Sequence, residues 1–67
     1  MKIIVNNVNK EIPEQCSLFW LANEELGEKQ NGVAIAVNNT VIQKKEWANY
    51  LLKENDNILI IKATQGG

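Results

Sequence analysis

Sixty-seven residues with a formal charge of −1, 45% of them apolar and 22% charged, suffice for one small domain; such a chain buries only about 60% of the surface its unfolded form exposes. The composition argues against disorder and a membrane span, and seven lysines set among eight acidic residues build no focused basic surface for a phosphate backbone. Histidine is absent and cysteine occurs once, at Cys16, which excludes Ser-His-Asp and Cys-His catalysis, thiolate or imidazole zinc clusters and an internal disulfide.

Most familiar enzyme chemistries are excluded by inventory alone, and neither a metal nor a cofactor is expected. No basic and apolar signal-peptide regions precede the first strand-like run, so a cytoplasmic location is expected. Asn38-Asn39-Thr40 matches a glycosylation pattern, but in that setting it reads as a tight turn.

In chain order, Lys2 to Val5 is a short β-rich run closed by Asn6-Asn7, a pair suited to the left-handed backbone of a hairpin. Val8 to Ile12 returns as a second strand, and Pro13, which cannot donate to a ladder, ends it. Ser17 is placed to cap a helix whose Leu18, Leu21, Ala22 and Leu26 fall on one face, with Phe19 or Trp20 widening that face and Glu24, Glu25 and Glu28 toward solvent. Gly27 stops it.

Val33 to Val37 is a continuously apolar strand, turned by Asn38-Asn39 into a short partner, Thr40 to Ile42. Lys44 to Leu52 has helical character but is short and fits one or two irregular turns, with Trp47, Tyr50 and Leu51 spaced to cap the core rather than hold a cofactor. Glu54-Asn55-Asp56-Asn57 is a polar turn leading into Ile58-Leu59-Ile60-Ile61, the most apolar strand candidate. One helix with several strands predicts a two-layer α+β domain: a mixed sheet with the helix across one face and the first and last long strands parallel at its centre.

The burial pattern stops after Ile61, and the division expected is a folded domain over 1–62 and a flexible tail over 63–67 ending in Gly66-Gly67. Two glycines at a free end add nothing to stability, and with Gly near 7% of residues a chance Gly-Gly end has a probability of roughly half a percent. A frayed end is the bland alternative. A terminal glycine presents an unhindered carboxylate, ionised at neutral pH because its reference pKa is about 3.5. Five extended residues reach about 17 Å at ~3.3 Å each, enough to enter another protein's active site. Such a carboxylate can attack the α-phosphate of ATP, with positioning and Mg²⁺ supplied by a partner.

These residues together resemble the thiamine-pathway sulfur carriers (ThiS-like), ubiquitin-like β-grasp proteins of about this length. The resemblance covers essentially the whole chain and rests on Lys2-Ile3-Ile4-Val5-Asn6, Val33 to Asn38, Val41-Ile42 followed by Lys45-Glu46-Trp47, Glu54 to Ile58, and Gly66-Gly67. Two departures are visible: the family often has Pro near Gln43 and Gly where Asn55 stands, and Asn is the next best residue for a left-handed turn.

The resemblance implies a ubiquitin-like β-grasp fold. It further implies that an E1-like, ATP-dependent activating enzyme adenylates Gly67, which becomes a thiocarboxylate. The sulfur comes from a donor such as a cysteine desulfurase and passes to a thiazole synthase that builds the thiazole of thiamine. Gly67 carries the functional role and Gly66 belongs to the tail; the motifs do not fix the docking surface, although Ile58 to Lys62 must lie near the tail.

Three other readings share parts of this pattern. A molybdopterin-synthase-like small subunit has the same fold and Gly-Gly end, and short length favours the thiamine branch. A ubiquitin-like modifier would join Gly67 to a substrate lysine, and a plain β-grasp binding module would work without its tail. Cys16, just before a helix N-terminus, could accept sulfur if its thiol were activated, but a free cysteine more often fills a core as a small apolar residue. Lys44 and Lys45 could pair with a partner, although exposed lysines are the default.

Overall fold

A computed structural model describes residues 1–62. The strands are β1 (Lys2–Val5), β2 (Val8–Glu11), β3 (Val33–Val37), β4 (Thr40–Ile42) and β5 (Asn57–Lys62), with helix α1 (Leu18–Leu26) between β2 and β3 and a 3-10 segment, Lys44–Asn49, before β5. They form one mixed sheet in the order β2-β1-β5-β3-β4. β1 and β5 pair in parallel, Ile4 beside Asn57 and Val5 beside Ile58, while β3 pairs antiparallel with both β4 and β5. The chain's first and last strands thus meet at the middle of the sheet, as the sequence pattern predicts.

Asparagine makes both hairpins. Asn6 and Asn7 have φ of 49° and 69°, and Asn38 and Asn39 have 51° and 73°, the double left-handed turn whose twist matches the flanking strands. Asn55, where the family often has Gly, also lies in the left-handed region at φ 68°. Its backbone N–H donates to the Lys2 carbonyl, so Asn meets the demand Gly would otherwise meet.

Helix α1 begins at Ser17, whose hydroxyl accepts from the Trp20 N–H at 3.1 Å, and ends at Gly27 with φ 59°. Leu18, Leu21, Ala22 and Leu26 are its buried residues; Trp20 packs partly against the core while Phe19 stays 45% exposed. Under the helix lie Ile3, Val5, Ile35, Val37 and Ile58, all buried. Of the segment 44–52, read as helical in character or as irregular turns, Lys44–Asn49 forms a 3-10 stretch that buries Trp47, whose indole N–H donates to the Ile42 carbonyl at 2.9 Å. That bond satisfies the one polar atom of the core's largest side chain.

β2 is one residue shorter than read, ending at Glu11, because the chain leaves the sheet toward Pro13. Ile12 still exchanges backbone bonds with Met1: its N–H donates to the Met1 carbonyl, and its own carbonyl accepts from the Met1 amino group.

Candidate functional site

Gly66 and Gly67, and with them the whole tail 63–67, lie outside the described residues. What the structure describes is the strand that residues 63–67 follow, β5. The start of β5 is fixed by a buried carboxylate: Asp56, 5% exposed, accepts from the Lys53 N–H at 2.7 Å and from the Asn38 side-chain amide at 3.0 Å. Asn38 in turn accepts from the Asn57 N–H at 2.9 Å. This clamp ties the β3–β4 turn to the first residue of β5. The sequence shows Asp56 only as one member of a polar turn; its burial comes from the neighbouring turn folding over it.

From that anchor the pleat of β5 sends Ile58 into the core at 0% exposure, with Ile60 packed partly against it. Leu59 and Ile61 go to the opposite face and remain 49% and 47% exposed. Register then gathers apolar neighbours around them: Ala36 sits between Leu59 and Val41, and Ala34 sits beside Ile61. Val41 is itself 61% exposed. The small alanines leave the larger side chains raised, so the helix-free face carries an apolar strip that ends beside Lys62, the last described residue.

The signal for it was present in the sequence as an unbroken Ile58-Leu59-Ile60-Ile61 run. A strand covered by one helix layer needs only alternate apolar residues, so the extra two had to be on the open side.

Cys16 is 8% exposed and belongs to the core cluster, and its carbonyl accepts from the Leu52 N–H. That is the apolar filling role. Lys44 lies over the Trp47 ring, its Nζ 5.9 Å from the centroid, and Glu25, read as solvated, pairs with Lys10 at 2.9 Å on the surface. Among the described residues no group of His, Cys, Asp and Glu is arranged to hold a metal ion, and no helix is long and apolar enough to cross a membrane.

Comparison with known proteins addresses where this chain belongs. The family model described as "ThiS family" matches residues 3–67. The chain belongs to the ThiS family. Its match runs through residue 67, so it includes the segment beyond Lys62. The chain is also similar to the sulfur carrier protein ThiS of Escherichia coli (strain K12), 32% identical over 44 residues, which are 66% of this chain and 67% of that protein. A solved structure, the thiamine biosynthesis protein ThiS from Geobacter metallireducens, superposes over all of both chains with a TM-score of 0.85 at 17% identity. At that identity the likeness speaks for the fold, which is the ubiquitin-like β-grasp.

Proposed function

We propose that this chain is a sulfur carrier in which Gly67 holds the cargo as a C-terminal thiocarboxylate. The observation that carries the reading is the ThiS-family match extending over residues 3–67 of a chain that ends in Gly66-Gly67. The folded body over 1–62 contributes recognition, and the tail over 63–67 contributes reach.

In the first step the Gly67 carboxylate oxygen attacks the α-phosphorus of ATP in an E1-like activating enzyme, and pyrophosphate leaves. A sulfur nucleophile then attacks the acyl-adenylate carbon and AMP departs, so one carboxyl oxygen is replaced by sulfur. The donor system is of the cysteine desulfurase type. The thiocarboxylate is consumed by a thiazole synthase in thiamine biosynthesis. Charge stabilisation and Mg²⁺ belong to the partners, because residues 1–62 offer no catalytic constellation; this protein is their co-substrate. The apolar strip of Leu59, Ile61 and Val41 is the docking face, and the compartment is the cytoplasm.

Intact mass after incubation with ATP, Mg²⁺, sulfide and the activating enzyme tests this. The full chain should gain the mass of one oxygen exchanged for one sulfur, and a chain lacking Gly67 should gain nothing while keeping the same thermal unfolding. An unchanged mass in the presence of an enzyme that demonstrably releases pyrophosphate with its own carrier would refute the reading.

A further inference from the structure

The ladder of β5 is occupied unequally on its two sides. Toward β3 it is paired along its length from Ile58 to Lys62. Toward β1 it is not. The Ile4 N–H donates to the Asp56 carbonyl and the Asn6 N–H to the Ile58 carbonyl, and then β1 turns away at Asn6-Asn7. The next group on that side, the Ile60 N–H, is met by a side chain, Asn6 Oδ1, at 2.8 Å.

Residues 56, 58 and 60 thus direct their backbone groups toward β1, and by the two-residue period of a strand residue 62 does the same. Among the described residues no strand lies beside the Ile60 carbonyl and the Lys62 N–H on this side. A sheet edge open in this manner is a template for an added strand. This one sits in the interior of the strand order, just past the point where β1 turns at Asn6-Asn7, so it accommodates only a short segment.

Its place says what covers it. Five residues separate Lys62 from the C-terminal carboxylate, and fully extended they span at most about 17 Å. Any active site that takes the carboxylate must therefore bring its entrance to the end of β5. The exposed Leu59 and Ile61 side chains adjoin the same backbone and give the entrance an apolar surface to rest on.

We propose that the open edge of β5, from the Ile60 carbonyl to the Lys62 N–H, is a β-augmentation site for an extended backbone segment at the mouth of the carboxylate-activating enzyme. That segment accepts from the Lys62 N–H and donates to the Ile60 carbonyl, which holds the start of the tail in line with the channel. This rests on the sulfur-carrier reading, since it takes its partner from there.

Amide hydrogen exchange on the ¹⁵N-labelled full chain tests it, with and without saturating activating enzyme and alongside the mass assay. The Lys62 amide should exchange at least about tenfold more slowly in the complex, as expected for gaining one backbone hydrogen bond. Lys62→Pro removes the donor without touching the β3 ladder. It should cut the loading rate about tenfold, while Lys62→Ala, which keeps the N–H, loads within about twofold of the native chain.

If the native chain loads but its Lys62 amide exchanges at the same rate in the saturated complex, the edge is not used and the proposal fails alone. If the amide is protected by raising the concentration of the chain without enzyme, a second copy covers the edge and the assignment of partner is overturned. If the native chain neither binds nor loads, the carrier reading fails and this proposal falls with it. Should Lys62→Pro unfold, the exchange measurement on the native chain still decides.

Discussion

The two faces of the sheet are made from the same residue types and serve opposite ends. On one, Ile3, Val5, Ile35, Val37 and Ile58 are closed off by Leu18, Leu21 and Ala22 of α1 and by Trp47; on the other, Leu59, Ile61 and Val41 stand about half exposed around two alanines. Single exposed apolar side chains are ordinary, but these are aligned by register across three strands. Burial on the first face stabilises the isolated chain. Exposure on the second contributes little to it.

Adjacent residues of β5 make the sharpest contrast. Ile58→Ala should lower unfolding free energy by about 2–5 kcal/mol through lost burial and a residual cavity, seen as a lower urea midpoint. Leu59→Ala should change stability by no more than about 0.5 kcal/mol and yet weaken binding to the activating enzyme roughly tenfold, as truncation of an interface anchor does. Equal stability losses for the two would mean that the faces are wrongly assigned.

The second test concerns what holds β5 in that register. Asp56→Ala strips the partner from the Lys53 N–H and the Asn38 amide, and leaving such groups unsatisfied costs about 1–3 kcal/mol; chemical denaturation should show it. A native-like stability would dismiss the clamp. The smallest effect is expected on the covering layer: Ser17→Ala removes the cap on the Trp20 N–H and should cost about 1 kcal/mol, read as a modest fall in Tm with binding at the outer face unchanged.

Much of this fold is legible in the sequence. The Asn-Asn pairs, the Ser17 cap, the helical spacing of Leu18, Leu21, Ala22 and Leu26, and the Gly27 stop are local rules, each satisfied within a few residues of where it is written. Less legible was the 3-10 form of Lys44–Asn49, because Trp47 has to reach the Ile42 carbonyl and a full α-helical turn is not what that contact selects. The choice between Phe19 and Trp20 was also open, since both flank the apolar stripe and only the packing partner decides which is covered. For the site, the Gly66-Gly67 end was visible as composition at a terminus, while Leu59 and Ile61 showed only as an excess of apolar residues with no face attached.

By itself, then, the sequence determined the order of the elements, the turns, and the inventory available for chemistry: no histidine, a single cysteine and the pair Gly66-Gly67. Those follow from local sterics and from inventory, which need no third dimension. Tertiary structure decided that Asp56 is buried, that alternate residues of one apolar strand face the core and the helix-free side of the sheet, and that the β1–β2 hairpin turns away before β5 ends. Each depends on which distant strand lies alongside, and pairing between residues 4 and 57 or 36 and 59 is fixed by the burial of the whole sheet against one helix rather than by any neighbour in sequence.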